Sequence, residues 1–489
     1  MKDIQMPARS SGLDALEAEL AHDLDLLELP SRSWVPARFV DGSPVRDVVV
    51  IGAGMCGLAA TAKLMLSGIA NVVVYDASPA GKEGPWATFA RMETLRSPKT
   101  LHGPSLGLPR LTFRAWFTAQ WGTVAWEALD KIPKDQWMDY LVWYRKVLSL
   151  PVHNGVRMTG ITQHSDFIAI DVTGAQTGRI LTRRLVLATG RSGLGGFAVP
   201  SFLKGVSRSY WAHSADQIDF NALRGKRVAV VGAGASSMDN AATALETGAA
   251  LVDVLIRRKE MPRINKMMGI GSPGIVHGMY HLSDAWKWKF VDYIAQSQTP
   301  PPRNSTLRVS RHANARFLLD CGILSVIERG NELLIETTQG PMRYDYLIAA
   351  TGFSNDLSGR KELTAIAPFI RSWSDGRYTP EMGLPRASMS EAPDLGPSFE
   401  FQERQPGSCP ILAHIYCFND AAMLTHGKVS GDIPEVSAGA DRLMRGIAAS
   451  LFSEDVKQQF ENLVAYDTPE LLGNEWVDST PLLMKECMS

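Results

Sequence analysis

The stretch DVVVIGAGMCGLAATAKLMLSGIANVVVYD (47–76) decides the fold of this chain. It begins with an apolar run, passes through a glycine-rich turn into a segment with helical periodicity, and ends in a second apolar run. The order strand, glycine turn, helix and strand is typical of a βαβ unit that binds a dinucleotide. Because the G-x-G-x-x-G spacing directly follows a predicted strand, the pattern is more specific than the glycines alone.

Three glycines and one acidic residue have separate roles in such a unit. Gly52 permits the tight turn, Gly54 lets the backbone approach a pyrophosphate, and Gly57 lets the helix pack closely on the strand. The helix N-terminus then presents N–H groups to the phosphates. Asp76, at the end of the second strand, is placed to accept hydrogen bonds from ribose hydroxyls. The alternative is a glycine-rich turn in an α/β protein that binds no nucleotide.

A second unit of the same kind follows in KRVAVVGAGASSMDNAATALETGAALVDVLIRR (226–258). Gly232 and Gly234 supply the first two glycines, and Ser237 stands where the third would be. We expect Ser236 and Ser237 to offer hydroxyl groups to phosphate in addition to their N–H groups. The chain therefore carries two predicted dinucleotide-binding units.

The end of the second strand differs in charge between the two units. The position equivalent to Asp76 is Ile256, and Arg257, Arg258 and Lys259 follow it. A 2′-phosphate is an anion that arginine binds in a forked geometry. The second unit is therefore expected to take NADP rather than NAD, with Arg257 and Arg258 as ligands. The alternative is a basic turn that is merely solvated.

The order of these segments predicts an α/β fold with two Rossmann-like dinucleotide-binding domains, the second inserted into the first. The apolar segment DYLIAATGF (345–353) is interpreted as the return to the first domain. The predicted division has four parts: an N-terminal extension (1–45), the first part of the first dinucleotide-binding domain (46–200), an NADP-binding domain with a helical insertion at 262–303 (201–340), and the rest of the first domain with the C-terminal region (341–489).

The N-terminal extension contains leucines at helical spacing. The pattern predicts a helix that is capped by Ser10 or Ser11 and ends before Pro30. Its apolar face is expected to pack on the body of the protein or on a second subunit, the alternative being a helix that binds a partner. The leucines of this face are Leu13, Leu16, Leu20, Leu24 and Leu27.

The composition excludes several functional classes. The 489 residues include 50 basic and 51 acidic side chains, so the formal charge is −1, and a nucleic-acid-binding surface is not expected. No apolar stretch is long enough to predict a transmembrane helix. The five cysteines lack the spacing of a disulfide framework or a zinc site, so neither is expected, and no metal site is predicted. We expect a cytoplasmic protein.

Further motifs complete a resemblance to a known family. They are EGPW (83–86), ETLRSPKT (93–100), the ATG triplets at 188–190 and 350–352, and THGKVSGDIP (425–434). Together with the two glycine loops, they make residues 46–450 resemble the class B flavoprotein monooxygenases. That class includes the flavin-containing monooxygenases, the Baeyer–Villiger monooxygenases and the ornithine and lysine N-hydroxylases. The F-x-G-x-x-x-H linker of the first two groups is only partly present, as Phe202, Gly205 and His213 at wider spacing.

The resemblance implies a reaction and its cofactors. NADPH would reduce FAD, and O2 would then give a C4a-(hydro)peroxyflavin that oxygenates a small-molecule substrate. The segments at 93–98 and 425–430 resemble those of the N-hydroxylases, so oxygenation of a nitrogen or sulfur centre is expected, with N-hydroxylation favoured. The alternatives are Baeyer–Villiger insertion into a ketone and, less consistent with the absence of a redox cysteine pair, a reductase. The family also suggests a homodimer.

Candidate residues near the flavin follow from the motifs. Arg96, His213 and Asn419 are the candidate catalytic residues, with an ion pair, a packed histidine and loop structure as their respective alternatives. Trp86 is expected against the flavin. Asp432 is expected to cap a helix that points at the flavin. The cofactor contacts predicted from the THGKVSGDIP segment are Thr425, His426 and Asp432. The tryptophans between 86 and 143 are interpreted as core packing rather than as a substrate pocket.

Overall fold

The computed structural model describes residues 12–381, 387–480 and 487. Its helices are α1 (Gly12–Leu26), α2 (Met55–Leu66), α3 (Phe113–Ala128), α4 (Lys134–Val147), α5 (Ala235–Glu246), α6 (Pro273–Gly278), α7 (Asp284–Ser297), α8 (Arg303–Ser310), α9 (Ala387–Ser390), α10 (Met423–His426), α11 (Val436–Glu454) and α12 (Val456–Ala465).

The strands of the described residues form one mixed sheet, one parallel sheet and two small antiparallel ones. They are β1 (Arg38–Val40), β2 (Ser43–Ile51), β3 (Val72–Asp76), β4 (Val152–Asn154), β5 (Val156–His164), β6 (Phe167–Gly174), β7 (Gly178–Leu187), β8 (Gly196–Phe197), β9 (Trp211–His213), β10 (Arg227–Val231), β11 (Leu251–Leu255), β12 (Ala315–Leu318), β13 (Ile323–Arg329), β14 (Glu332–Thr337), β15 (Gly340–Tyr344), β16 (Tyr346–Ala349), β17 (Phe353–Ser354) and β18 (Ile415–Tyr416).

The first sheet has the order β4-β3-β2-β7-β6-β5, with β1 added beside β2 and β18 beside β7. β2 pairs in parallel with β3 and with β7, and α2 connects β2 to β3, which is the predicted βαβ unit. β18 comes from the far end of the chain and pairs in parallel with β7. This sheet is therefore built from segments on both sides of the inserted domain.

The second sheet is entirely parallel, in the order β12-β11-β10-β16-β9. Since the segments of the first sheet enclose it in the chain, the predicted insertion of one Rossmann-like domain into another is confirmed. The predicted boundary at 340/341 is wrong, because β16 pairs with β10 and β9 in the second sheet. The return to the first domain therefore falls after Ala349, near β17.

The two domains are joined where β8 and β17 pair with each other. Phe197 on the outgoing chain lies opposite Phe353 on the returning chain, in an antiparallel register. Each connection follows one of the two ATG triplets, at 188–190 and 350–352. Both connections therefore lie side by side at a single place.

The N-terminal helix packs on the first domain. Leu16 and Leu20 of α1 are buried, and Leu13 and Leu24 pack against the same core. Leu27 lies just beyond the end of α1 and is exposed, so the predicted face is one residue too long. The predicted cap at Ser10 or Ser11 lies outside the described residues.

The aromatic cluster of α3 and α4 is core, as predicted. Phe113 and Tyr140 are fully buried, and their rings contact the tryptophans around them at centroid distances of 5.0–6.4 Å. The buried tryptophans of this cluster are Trp116, Trp126, Trp137 and Trp143. Trp86 meets Trp137 edge to face at 6.3 Å, which places it where the cluster approaches the first glycine loop.

Candidate functional site

The first glycine loop requires glycine at two positions for steric reasons. Gly52 has a φ of +105°, and a Cβ there would lie 2.4 Å from the carbonyl oxygen of Ala188. A Cβ on Gly57 would lie 1.8 Å from the carbonyl oxygen of Gly52. Real Cβ atoms do not approach oxygen this closely. The loop therefore brings α2, β2 and the end of β7 together at their closest.

The N-terminus of α2 is open toward a ligand. Its N-cap is Gly54, and no side chain of the described residues caps it. An added Cβ at Gly54 would lie 3.8 Å from the Cα of Gly84, so two glycines face each other across the entrance. Uncapped N–H groups beside a gap without side chains suit a pyrophosphate. FAD therefore fits this loop.

Asp76 connects the second strand to the loop. Its buried carboxylate accepts hydrogen bonds from the backbone N–H of Ala53 and of Ser78, both at 2.7 Å. Each carboxylate oxygen can accept more than one hydrogen bond. Asp76 therefore holds the loop in place and still has lone pairs for the ribose contact that the sequence predicts.

The second loop resembles the first but is less crowded. Gly232 has a φ of +124°, and a Cβ there would lie 2.8 Å from the carbonyl oxygen of Ala350. The Ser237 hydroxyl is buried and donates to the carbonyl of Gly234 at 2.7 Å. It therefore points back into the loop, whereas phosphate was its predicted partner. Ser236 is exposed at the start of α5, whose N-cap, Gly234, also lacks a capping side chain within the described chain.

The two predicted arginines after β11 differ in their surroundings. Arg257 is exposed, whereas the Arg258 guanidinium donates to the carbonyl of Gln296 in α7 at 2.8 Å. An exposed guanidinium beyond the strand end can grip a 2′-phosphate. Arg258 is already used to attach the insertion. Of the two, Arg257 is therefore the stronger candidate for the phosphate.

Arg96 and Asp432 lie close enough for their charges to interact. Arg96 donates to the carbonyl of Pro300 at 2.7 Å. Partial burial lowers the pKa of Arg96, and the charge of Asp432 opposes that shift.

Cys56, in the first turn of α2, stays a neutral thiol. It donates to the carbonyl of Ser430 at 3.4 Å. Burial, together with the charges of Asp420 and Asp432, raises the pKa of Cys56 to about 12, so the thiol stays neutral.

Asp432 does not cap the long helix directly. Its carboxylate accepts from the N–H of Ile433 at 3.1 Å and lies 3.5 Å from the Lys428 ammonium. A short 3-10 turn, Ile433–Glu435, comes between Asp432 and the start of α11 at Val436. The predicted cap is therefore wrong in detail, because the chain needs this extra turn to enter the helix.

His213 is enclosed by protein at the junction of the domains. It is fully buried and stacks on Phe197 at 4.5 Å. Its Nδ1 accepts from the N–H of Ala215 at 3.2 Å, so Nε2 carries the proton that is donated to Gly352 at 2.9 Å. Burial lowers the pKa of His213. These contacts favour the packed histidine over a catalytic one.

Asn419 also has its side chain fully used by the protein. It is buried, its Nδ2 donates to the carbonyl of Leu187 at 3.0 Å, and its Oδ1 accepts from the N–H of Ala421 at 3.1 Å. A Cβ at Gly193 would lie 2.4 Å from its Cγ. Asn419 thus fastens the C-terminal segment to the end of β7. We expect it to position the flavin-facing loops rather than to touch the substrate.

His426 and Thr425 lie fully buried in α10. Nδ1 of His426 accepts from Arg442 at 3.0 Å, so Nε2 donates to the carbonyl of Gly396 at 2.9 Å. Burial and the charge of Arg442 lower the pKa of His426 to about 3, so its ring is neutral. The Thr425 hydroxyl finds no hydrogen-bond partner among the residues that the structure describes. Because that hydroxyl is enclosed by protein, the structure does not support its predicted cofactor contact.

An apolar pocket lies between the insertion and the segment around His426. Arg442, a residue that sequence reasoning missed, connects its two sides by donating to His426 and to the carbonyl of Val276 at 2.8 Å. Nothing in its sequence context distinguishes Arg442 from other surface-helix arginines. The pocket is lined mainly by Met267, Ile270, Ile275, Val276, Met279, Phe290, Val291, Ile294, Met423 and Val429.

Other kinds of site find no support in the described part of the chain. No group of three or more histidine, cysteine, aspartate or glutamate side chains there could hold a metal ion. No helix of that part is long and apolar enough to cross a membrane. The five cysteines are all free, and only Cys487 is exposed.

Comparison with known proteins places these features in a family. The family model described as pyridine nucleotide-disulphide oxidoreductase matches residues 49–275. The FAD-dependent urate hydroxylase of Xanthomonas campestris pv. campestris is 37% identical over 469 residues, which cover 96% of this chain and 99% of that protein.

Two solved structures share the fold. The ornithine hydroxylase of Pseudomonas aeruginosa superposes with a TM-score of 0.65 at 15% identity, over 83% of this chain and 100% of that one. The ornithine N-hydroxylase of Kutzneria sp. 744, with reduced FAD, NADP+ and L-ornithine, gives 0.64 at 16% identity, again over 83% and 100%. At this level of identity they show a common fold.

Proposed function

The chain belongs to the class B flavoprotein monooxygenases, and we propose that its substrate is a planar, oxygen-rich nitrogen heterocycle of the urate type. The expected cofactors, FAD and NADPH, are confirmed by the FAD-dependent relative and by related structures that hold FAD and NADP+. The substrate class rests on one observation, the 37% identity to a urate hydroxylase along almost the whole chain.

The residues of the two loops have clear tasks in such an enzyme. The open N-terminus of α2 would hold the FAD pyrophosphate, with Asp76 toward the ribose, and that of α5 would hold the NADP pyrophosphate. Arg257 would meet the 2′-phosphate. FAD, once bound, supplies the oxygen-transfer chemistry. The insertion supplies most of the apolar side chains that line the pocket, and such a lining would disfavour water there.

The protein side chains near the pocket offer few proton donors. His426 is neutral and both of its nitrogens are engaged, so it cannot act as a general acid near neutral pH. The thiol of Cys56 stays protonated, so it is no nucleophile. Arg96, whose charge interacts with that of Asp432, is the cation among the three predicted catalytic residues. We assign it the task of attracting an anionic substrate.

A second candidate function is N-hydroxylation of an aliphatic amine. It is supported by the common fold with the ornithine hydroxylases and by the segments at 93–98 and 425–430. The two candidates differ in chemistry. The nitrogens of a urate-type ring belong to amide-like groups whose lone pairs are delocalised, so an electrophilic oxygen meets the ring double bond first. An amine presents a localised lone pair.

Substrate-dependent NADPH oxidation distinguishes the candidates. Purified holoenzyme is mixed with NADPH and urate, ornithine, lysine, cadaverine or a ketone, and products are identified by mass spectrometry with 18O2. We expect urate to accelerate NADPH oxidation and to gain one labelled oxygen. Acceleration by an amine, with an N-hydroxy product and no response to urate, would establish the second candidate instead. A ketone-only response would overturn both.

We also propose that the expected homodimer forms through the C-terminal helix. None of the described residues from Val456 to Thr480 is buried. The apolar side chains of α12 recur at helical spacing and are 52–70% exposed. They adjoin an open apolar groove in which Trp34 contacts Phe452 at 6.3 Å. The exposed face consists of Val456, Phe460, Leu463 and Val464.

The extent of this surface fits a second copy of the chain. A stable interface needs roughly 20–30 residues a side. Residues 456–480, which we call the C-terminal arm, and the groove supply that number together. A reciprocal contact would let each arm cover the other copy's groove. Light scattering of the full chain should show a dimer that Phe460→Asp converts to a monomer with its FAD retained. A wild-type monomer at micromolar concentration, or a dimer that survives Phe460→Asp, would contradict this surface.

A further inference from the structure

A short segment of the first domain contacts the second domain at several successive side chains. We call residues 91–96 the strap. Arg91 donates to the carbonyl of Asp216 at 3.0 Å, and Thr94 accepts from Asn304 at 3.1 Å. Arg96 at its end donates to Pro300. Its last four residues, 93–96, open the ETLRSPKT motif. Arg96 interacts electrostatically with Asp432, whose charge also acts on Cys56 in the first turn of α2. The strap therefore belongs to the first domain and bonds to the second.

One buried arginine joins the strap to the second domain. Arg308 in α8 is 6% exposed. Its Nε and Nη2 donate to the two carboxylate oxygens of Glu246 at 3.1 and 2.7 Å. Its Nη1 donates to the carbonyl of Arg91 at 3.0 Å, and its guanidinium lies 3.6 Å from the Glu93 carboxylate. The Arg308 guanidinium therefore makes a bidentate contact within the second domain and a further hydrogen bond to the strap of the first domain.

Two acidic partners of Arg308 belong to α5, the helix that follows the second glycine loop. Glu246 ends α5, and Asp239, 3.7 Å from Arg308, lies in the first half of the same helix. The N-terminus of α5 is the open end at Gly234. Although burial opposes ionisation, the hydrogen bonds and charges of Arg308 and Arg311 hold the pKa of Glu246 below its ordinary value. The pair is thus ionic, and its two parallel hydrogen bonds hold the buried guanidinium in one orientation.

We propose that Arg308 is a positioning residue that fixes the orientation of the NADP-binding domain against the flavin. Flavin reduction moves a hydride, two electrons with one proton, from NADPH to the flavin and leaves NADP+ and fully reduced flavin. Such a transfer needs the reacting atoms at about 3–3.5 Å. Because α5 would hold the nucleotide and the strap belongs to the domain that would hold FAD, the link through Arg308 fixes how the two sites face each other. The proposal concerns reduction alone and does not depend on the substrate.

The chain offers a matched control in Arg311. Arg311 donates to the same Glu246 at 2.6 Å but is exposed, and its guanidinium has no contact with the strap among the interactions that the structure describes. Arg308→Met and Arg311→Met each remove one guanidinium from Glu246. Only the first also removes contacts with the strap, those to the carbonyl of Arg91 and to Glu93. A difference between the two therefore reports the link between the domains and not the charge of Glu246.

The experiment measures flavin reduction in the holoenzyme without substrate. Anaerobic rapid mixing with NADPH gives the reduction rate and the apparent Kd of NADPH, and dithionite gives a rate that needs no nucleotide. For Arg308→Met we expect the rate at saturating NADPH to fall about tenfold or more, since a small displacement of reacting atoms is costly. The Kd, the FAD content and the dithionite rate should change less than about twofold. Arg311→Met should reduce like wild type, and Arg308→Lys should lie between.

Three results would overturn the proposal. One is an unchanged reduction rate in Arg308→Met, and another is an equal loss in Arg311→Met. The third is a raised Kd whose effect saturating NADPH removes, because Arg308 would then serve binding and not orientation. If Arg308→Met does not fold, Asn304→Ala with Thr94→Val cuts the strap from its other side and should slow reduction at saturating NADPH. Wild-type reduction in that variant would equally refute the role.

Discussion

The two glycine loops of this chain have the same backbone plan but differ in what stabilises them. In the first, Gly57 lies so close to Gly52 that no Cβ fits, and the carboxylate of Asp76 holds the turn. In the second, Ser237 fits at the equivalent position and its hydroxyl holds Gly234. The comparison shows that the third glycine is a packing requirement of one loop and not of the motif in general.

The loops also differ beyond the second strand. The first ends in a buried carboxylate, whereas the second ends in an exposed guanidinium. The buried acid keeps its loop fixed and suits a cofactor that stays bound. The exposed arginine suits a cofactor that enters and leaves.

Replacing the third glycine of the first loop, Gly57, by the serine of the second loop should have the largest effect. Gly57→Ser places a Cβ 1.8 Å from the Gly52 carbonyl oxygen, so α2 must move away from β2. We expect loss of FAD and a loss of stability of several kcal/mol, as for severe overpacking. Flavin absorbance per protein and thermal unfolding measure both. FAD at full stoichiometry in this variant would show that the loop tolerates the second loop's residue.

Removing the exposed guanidinium should change nucleotide preference. Arg257→Ala loses a charge-assisted contact with the 2′-phosphate, so KM for NADPH should rise about ten- to a hundredfold, in keeping with 1.5–3 kcal/mol. KM for NADH should stay the same. Steady-state NADPH and NADH oxidation test this, with Arg258→Ala as control because Arg258 is bound to Gln296. An equal rise in both KM values would argue against a 2′-phosphate contact.

Neutralising the acid of the first loop should have a moderate effect. Asp76→Asn keeps one acceptor oxygen, so it loses the carboxylate charge and one of the two bonds that Ala53 and Ser78 donate to separate oxygens. We expect FAD affinity to fall about tenfold, which corresponds to ~1.4 kcal/mol. Titration of the apoprotein by flavin fluorescence gives the Kd. Unchanged affinity would mean that Asp76 serves the loop without touching the ribose.

The reverse exchange in the second loop should have the smallest effect. Ser237→Gly removes one hydrogen bond and adds backbone freedom in the first turn of α5, so about 1 kcal/mol of stability should be lost. KM for NADPH should change less than about twofold, because the hydroxyl points to Gly234 rather than to phosphate. A large rise in KM would place that hydroxyl on the nucleotide after all.

Local patterns predicted the loops and the nested order of the domains, because strand, turn and helix signals lie within short stretches. The return point was misplaced for a physical reason. The segment at 345–349 reads as a buried parallel strand, and such a strand fits either sheet. Only its pairing with β10 and β9 decides between them.

The side-chain predictions near the flavin were less complete, because their partners are distant in sequence. His213, Asn419 and His426 bond to backbone groups of Gly352, Leu187 and Gly396. Local sequence spacing cannot predict that a side chain will bond to a backbone carbonyl of a distant element. Arg308 likewise stands in an ordinary helical stretch. Its importance emerges only when α5, α8 and the strap are assembled.

The pairing of β8 with β17 has a consequence for how the molecule can be modified. Opposed residues in an antiparallel pair have Cα atoms only about 5 Å apart. The inserted domain therefore leaves and re-enters its host through neighbouring points, Phe197 and Phe353. A few-residue linker could bridge that gap and rejoin the two halves of the host, and the excised domain could be closed likewise. Both covalent connections between the domains could thus be cut and rejoined at one place, so that one domain is exchanged for another.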